Sequence, residues 1–392
     1  MQSTERKYLL AILSLLIIPI SGVAIDIYVP SLPAVSQHFG VHKSLAQLTI
    51  TTYMLGFGVM QLFAGSISDS FGRKKPFIIG MLIFIIVTLL VPWSHNIYQL
   101  LVYRLIQGIA VGLTIVPMRS IIPDLFHGRE LQKMMNYMTI AWSIGPIIAP
   151  GIGGYLQHYF NWHANFYFLG VYSIIIFTFT LIYLPETSQH VHPFHPIEII
   201  KRYFHILFHW RFASGVIING FIYSFLILFN IVAPFLIQNV LHYSAIHFGQ
   251  IALLMGFCWF LGTMTNRFLL DIELEVKAKV CFWFMFIITL VFTFFAFTRP
   301  MTLYTIVIPS AILFWMSGLI FPNYFSRSIL LFPNTIGSAN ALFGAFVFFI
   351  AGLSSALATF LKANNARPLG IAYVVLMSLC LIVYYLDIRK KE

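Results

Sequence analysis

Charge is what this 392-residue chain has least of. Only 9% of its residues are Asp, Glu, Lys or Arg, against about 25% in an average soluble domain. With 59% of residues hydrophobic, a water-soluble fold would leave more apolar side chains than one core can take, so a soluble protein is excluded. Acids are scarcer than bases, and the net charge is +11. Such an excess can serve nucleic acid, but here the bases fall singly or in short groups between apolar runs. That distribution argues against a nucleic-acid surface and for topology signals. Cysteine is nearly missing: Cys258, Cys281 and Cys380 all lie in apolar stretches, where they read as small buried hydrophobes rather than a disulfide or metal site. There is no G-x-x-x-x-G-K-[ST] loop, so ATP is not the direct energy source. Catalytic residues do not cluster, which counts against an enzyme. The one metal-like phrase, His190-Val191-His192-Pro193-Phe194-His195-Pro196, reads better as a proline-rich solvated linker. No cofactor and no metal are expected.

What the chain does have is long apolar runs. A bilayer core takes roughly 20 helical residues, and twelve such spans can be drawn: 8–33, 44–66, 76–94, 97–122, 134–158, 163–184, 212–237, 245–267, 277–298, 301–323, 334–361 and 367–387. The first could pass for a secretory leader, but Asp26 and a proline pair follow it instead of a cleavage site, so it reads as a retained helix. The longest polar connector, 185–211, divides the chain into six spans and six. The expectation is an all-α membrane protein: a six-helix bundle over 1–184, a cytoplasmic linker over 185–211 and a second six-helix bundle over 212–392. Such a two-bundle protein binds substrate at the bundle interface near the midplane. With the N-terminus inside, only Lys43, Arg299, Lys362 and Arg367 fall outside, Arg104 lies within a span, and every other Lys or Arg is internal. By the positive-inside rule both termini are cytoplasmic.

Against this background each charge inside a span demands a reason. Asp26 sits in the apolar run 8–34, where a carboxylate costs about 2.5–3.5 kcal/mol at a helix centre. The phrase Asp26-Ile27-Tyr28-Val29-Pro30-Ser31-Leu32-Pro33 breaks the helix near its outer end. A protonatable group beside a proline break is what a proton-coupled carrier needs. Arg104 must likewise be paired or hydrated, unless it snorkels at the outer interface. Gly108 and Gly112 follow it as a close-packing pair. The connector Gly65-Ser66-Ile67-Ser68-Asp69-Ser70-Phe71-Gly72-Arg73-Lys74-Lys75-Pro76 offers Gly65 for close helix approach, Gly72 for a tight turn, and Asp69 within reach of Arg73. In Gly145-Pro146-Ile147-Ile148-Ala149-Pro150-Gly151-Ile152-Gly153-Gly154, two prolines and four glycines should weaken and bend the fifth span.

These phrases together carry a resemblance. The connector resembles the G-x-x-x-D-x-x-G-R-(K/R)-(K/R) loop of the major facilitator superfamily, which gates the cytoplasmic side there. Arg104, Gln107 and Gly108 resemble its R-x-x-Q-G motif, whose arginine is linked to proton coupling. Gly145, Pro146, Gly153 and Gly154 resemble its antiporter signature, with Ala141 replacing an earlier glycine. Asp26-x-Tyr28-x-Pro30-x-Leu32-Pro33, the doubled Pro146 and Pro150, and the Arg119/Asp124 pair are most similar to the Bcr/CflA branch of drug:proton antiporters. Pro123 departs from that branch, which usually has a second arginine there, and Ile18 stands where some relatives carry a second acid. The second-half counterpart of the loop keeps Gly262 and Arg267 but has Asn266 in place of the acid, so a second gate should be weaker or absent.

The resemblance implies a proton-driven exporter in a bacterial inner membrane, working by alternating access without a cofactor. Its partners would be a small molecule, protons and lipid, and the chain would act as a monomer. Asp26 and Arg104 are the coupling candidates; Gly65, Asp69, Gly72, Arg73 and Lys74 the cytoplasmic gate; Gly145, Pro146, Pro150, Gly153 and Gly154 the antiporter helix. Tyr28, Tyr53, Gln61, Gln107, Arg119, Asn219 and Tyr223 are candidate cavity residues, and Asn230, Asn323 and Asn340 are further polar marks of the second half. Drugs are the default substrate. A siderophore or other self-made metabolite, a proton-coupled importer and a non-transporting receptor stay open as alternatives.

Overall fold

The computed structural model of the protein describes residues 4–187, 196–360 and 364–389, and all regular structure among them is helical. Hydrocarbon offers a backbone no hydrogen bonds, and a helix satisfies its own N–H and C=O groups within one segment. Eleven stretches among the described residues are long and apolar enough to cross a membrane. The first is composite. Helix α1 (Thr4–Ile17) and α2 (Ile20–Asp26) meet at Pro19, which cannot donate to the preceding turn. A single 3-10 turn at Val29–Ser31, built around Pro30, leads into α3 (Leu32–His38). The other spans of the first half are α4 (Lys43–Phe71), α5 (Lys74–Leu90) with the short turn after it, α6 (Ile97–Leu125) and, after a further helix, α8 (Trp162–Tyr183).

That further helix, α7 (Gly128–Tyr159), is not one of the eleven. It nevertheless joins the end of the bundle where Asp124 meets Arg73 to the opposite end, where Trp162 packs on His38. At 1.5 Å per residue its 32 residues extend about 48 Å. The helix runs uninterrupted through Pro146 and Pro150, the side chain of Pro146 lying outside the description.

The linker itself carries α9 (Pro196–Leu207), and after it come α10 (Trp210–Phe235), α11 (Ala245–Phe268), α12 (Leu274–Thr298), α13 (Leu303–Leu330), α14 (Ile336–Ala358) and α15 (Arg367–Arg389). Helix α9 is the surprise, because the connector reads as merely polar. It buries Ile206 beside Phe212 and Phe343, and the Tyr203 hydroxyl donates to the Leu62 carbonyl at 2.8 Å, tying the linker to α4. The histidine-rich phrase at 190–195 lies outside the described residues. Among the described residues no group of His, Cys, Asp and Glu is arranged to hold a metal.

The two halves pack alike. In the first, α6 lies on α4 and α5; in the second, α13 lies on α11 and α12. Between the halves, α7 lies on α11 and α4 on α14. The α7–α11 seam is backbone against backbone. A Cβ on Gly154 would sit 2.6 Å from the Ala245 carbonyl oxygen, and one on Gly249 would sit 2.7 Å from that of Pro150; Gly153 packs instead within the first half, where a Cβ would collide with the Ile27 carbonyl oxygen. Gly108 makes the same kind of contact with the Tyr53 carbonyl between α6 and α4. Gly65 does not: a Cβ there meets open space, so the expected close approach is not made at that position.

The contrast sets a test. A mid-helix Gly→Ala change with room for the methyl gains up to about 1 kcal/mol of helix propensity. Gly65→Ala should therefore leave the thermal stability of the purified protein unchanged or raise it. Gly154→Ala should lower it, because the helices must part to admit one methyl group. Equal midpoints for the two variants would rule out backbone contact at the seam.

Candidate functional site

Arg104 is completely buried, so it is not an interfacial anchor. Its Nε donates to the Thr49 carbonyl at 3.3 Å, and one terminal nitrogen donates to the Ala24 carbonyl at 3.1 Å and to Gln107 Oε1 at 3.0 Å. Gln107 in turn donates to Thr88 Oγ1 at 2.8 Å. Ring faces complete the nest: Tyr53 lies 4.4 Å and Tyr28 5.3 Å from the guanidinium carbon, distances at which a cation is attracted to an aromatic face. Tyr53 is oriented by its own hydrogen bond to the Ser21 carbonyl. Tyr28, Tyr53 and Gln107 are thus walls of the arginine nest, correcting their assignment to the cavity. No Arg104–Asp26 ion pair is among those the structure forms. The two are linked instead through Ala24, two residues before Asp26 on the last turn of α2.

Asp26 is buried at the end of α2, and its Oδ1 accepts a hydrogen bond from Asn230 Nδ2 on α10 at 2.9 Å. This contact crosses from one half to the other. On the side of it away from the N-terminus the halves are stitched further. Gln47 donates to the Ile231 carbonyl at 2.7 Å, Gln238 to the Pro30 carbonyl at 2.8 Å, and Lys43 to Asn364 Oδ1 at 3.1 Å. That end of the molecule is closed.

Toward the N-terminal end, residues of both halves line a small open cleft. Gln61, Arg119 and Tyr223 line it. Asn219 does not; it is buried against α13, donating to the Phe321 carbonyl at 3.0 Å. The rest of the wall is Asn340, Gly344, Val347 and the rings of Phe321, Phe325, Phe343 and Phe348. Nothing local in the sequence marked those four phenylalanines among 40; Phe321 and Phe325 lie in the C-terminal part of α13 and Phe343 and Phe348 on α14, which packs on α4, and only the tertiary fold brings them together.

At the same end Arg73 joins four helices of the first half. It bonds Asp69 and Ser68 on α4, and its Nε donates to Asp124 Oδ2 on α6 at 3.1 Å. Burial works against its charge, but the hydrogen bonds it donates to Asp124 and Asp69 hold it above the ordinary arginine value. Glu186, just after α8, accepts the backbone N–H groups of Arg73 and Lys74 at 2.8 and 3.2 Å, satisfying two orphan donors at the start of α5. Gly72 makes this possible: its φ is +83°, and a Cβ would strike the Glu186 carboxylate. Lys74 enters through its backbone. All these partners belong to the first half.

Residues 15–389 match the Major Facilitator Superfamily. The chain belongs to this superfamily. It is 25% identical to Multidrug resistance protein D of Escherichia coli K12 over 99% of this chain and 97% of that one. It is also 25% identical to the bicyclomycin resistance protein homolog of Haemophilus influenzae, over 96% and 94%. Among solved structures it matches the nucleoside transporter NupG with a TM-score of 0.74 at 14% identity, covering 98% and 99% of the two chains. A D-xylose-proton symporter matches at 0.70 and 17%, covering 95% and 96%. The chain is therefore a multi-pass membrane transporter of small molecules, and not an enzyme.

In this superfamily member the second half rebuilds the loop clamp without acid. Lys277, buried at the start of α12, donates to Asn323 Oδ1 at 3.0 Å and Asn266 Oδ1 at 3.4 Å, and Asn323 also donates to Asn266 at 2.9 Å. A second joint, unmarked by any motif, is formed by Arg327 on α13 pairing with Asp387 on α15, which also accepts from Ser214 on α10.

Two outcomes follow from these contacts. Arg104→Ala should abolish most transport and lower thermal stability, since each buried carbonyl left without its donor costs about 1–3 kcal/mol. Arg104→Lys should be milder, keeping the charge while losing the fork; normal transport by the alanine variant would reduce the nest to packing. Asp69→Asn should slow turnover with little effect on substrate affinity, because Asp69 lies outside the cleft. Cysteine labelling at the N-terminal end should shift with it, and unchanged labelling together with unchanged turnover would leave the loop a topology signal only.

Proposed function

We propose that this transporter exports small amphipathic molecules, drugs among them, in exchange for protons. The observation that carries the reading is the Asp26–Asn230 contact: the buried membrane carboxylate is held across the two halves, between the cleft and the closed end. An asparagine suits a group that cycles between protonation states. Its N–H can donate to the carboxylate, and its carbonyl can accept from the carboxylic acid. The contact can therefore persist through either state and break only when the halves part. Relatives named for multidrug and bicyclomycin resistance support drugs as the substrate class.

In this reading α7 is the twelfth span, 1–184 and 212–392 are two six-helix bundles joined by 185–211, and the chain works as a monomer in the inner membrane. The Lys and Arg bias supports cytoplasmic termini, so the cleft faces the cytoplasm and the closed end the outside. Substrate enters the cleft from within; the bundles rock about the midplane; a proton taken up from outside by Asp26 drives the return. Arg104 fixes the end of α2 that carries Asp26, and the Arg73 clamp keeps the cytoplasmic ends of α4, α5, α6 and α8 together. The proton gradient is the energy source, and no cofactor takes part.

The deciding experiment is gradient-driven efflux in everted vesicles from a pump-deficient host, with a drug panel and Asp26→Asn beside the native protein. The amide fits the same space and cannot exchange a proton. Uphill export should vanish while folding and membrane insertion persist. Full gradient-driven export by Asp26→Asn would sink the proton-carrier role.

A further inference from the structure

Helix α9 has three faces. At about 100° per residue, Tyr203 and Ile206 fall on one side, and the protein takes up both. The Tyr203 hydroxyl donates to the Leu62 carbonyl of α4, and Ile206 is buried with Phe212 of α10 and Phe343 of α14. Lys201 and His205 share a second, exposed face, and Arg202 is exposed beside it. Ile200, Phe204 and Phe208 make the third. They are spaced about one turn apart and remain 51%, 57% and 81% exposed. The rings of Phe204 and Phe208 stack at 5.9 Å with 16° between their planes. Phe208 lies just past the helix but continues its turn, its N–H donating to the Phe204 carbonyl at 3.0 Å. Singly exposed apolar residues need no explanation. An aligned stripe beside bases on a short helix is the composition of a helix that lies in the plane of a membrane surface.

The height of α9 fits such a surface. The helix ends at Leu207, and the span Trp210–Val240 begins directly after the short join. The His209 N–H donates to the Ile206 carbonyl and the Phe212 N–H to the His209 carbonyl, so the join is a tight elbow. Phe212 and Phe343 stand in the opening turns of α10 and α14. Helix α9 therefore lies where spanning helices leave the bilayer. From this placement we infer that α9 docks on the leaflet at this end of the molecule, with Ile200, Phe204 and Phe208 among the acyl chains and Lys201 and Arg202 on the headgroups of anionic lipids. Charge selects the anionic surface: the stretch 200–211 carries Lys201, Arg202 and Arg211 and no acid. Glu198 precedes it, its side chain lying outside the description, and Asp69, whose charge reaches Tyr203, is paired with Arg73. The attraction of a base to an anionic leaflet fades within a Debye length. The bases therefore act only at headgroup height, where the elbow holds them. Because α9 touches α4 of the first half and α10 and α14 of the second, the leaflet grips the molecule where its halves meet.

Spin labelling of the purified full-length chain in vesicles of phosphatidylcholine and phosphatidylglycerol tests the docking. Ile200→Cys, Lys201→Cys, Phe204→Cys, His205→Cys and Phe208→Cys are made singly, with Cys258, Cys281 and Cys380 changed to alanine, and a near-native thermal midpoint checks the fold. Each label is probed by oxygen, which dissolves among acyl chains, and by a nickel chelate, which stays in water. Labels at 200, 204 and 208 should favour oxygen, and labels at 201 and 205 the chelate. Chelate access as high at 204 as at 205 overturns the docking, since the stripe then lies in water. Shielding of 204 and 208 from both probes also overturns it, since a second copy of the chain then covers the stripe. The headgroup contact is read with the native cysteines in place. In detergent, phosphatidylglycerol should raise the thermal midpoint more than phosphatidylcholine does. Lys201→Gln combined with Arg202→Gln should raise the phosphatidylglycerol concentration for half the effect by about thirty-fold, the value of two bases near an anionic surface. An unchanged concentration overturns the role of the two bases. None of these measurements needs a proton gradient or a transported substrate, so their outcome is independent of the exporter reading.

Discussion

Hydrocarbon cannot solvate a guanidinium, so Arg104 has to be solvated by the protein itself. The solution found here uses carbonyls and ring faces instead of a carboxylate. Two of its hydrogen bonds go to backbone oxygens on α2 and α4 and a third to Gln107 on its own helix. The two backbone carbonyls belong to two different helices, so the arginine fixes how the first span lies on α4 and α6. The end of α2 is where the helix breaks, and Asp26 stands on that end. The position of the membrane carboxylate, and with it the contact to Asn230, therefore depends on an arginine that does not touch it.

The two halves share a packing plan but not its electrostatics. In the first, Arg73 sits between Asp69 and Asp124, and Glu186 takes the adjacent amides. In the second, the corresponding cation, Lys277, is buried between two amide oxygens. Neutral amides hold a cation by dipoles, which are weaker and less sensitive to salt than full charges. The ion pair of the second half is moved to Arg327 and Asp387, where it ties α13 to α15 rather than α11 to α12. One half is thus braced at its loop, and the other at the foot of its last helix.

Much of this was legible in the sequence because hydrocarbon punishes misplaced charge so heavily. Asp26 and Arg104 announced themselves as functional candidates by location alone, and Gly72 by its place between helices. The fold class followed from the apolar runs. What the sequence did not show was contact. Tyr28, Tyr53 and Gln107 carry the polar groups expected of a cavity, yet the arginine claims them. Asn219 faces a neighbouring helix instead of the cleft, and Gly65 faces open space. Asn230 was visible only as one of several polar residues until the fold set it against Asp26. Helix α9 escaped notice because its apolar residues are interleaved with Lys201, Arg202 and His205, which look like linker when no partner surface is known. The phenylalanines of the cleft are indistinguishable by type from those facing lipid.

The α7–α11 seam has a mechanical consequence. Gly154 and Gly249 place bare backbone against the carbonyls of Ala245 and Pro150. Contacts of this kind contain no side chains that could rearrange to follow a shear. Displacing one helix along the other by even one residue would carry a bulky neighbour into a slot sized for hydrogen. Such surfaces can lift apart and come together again in a single register, but they resist gliding. The seam thus behaves as a keyed joint: it leaves the halves free to tilt open and removes the sliding freedom that would let the closed end reseal out of alignment and leak.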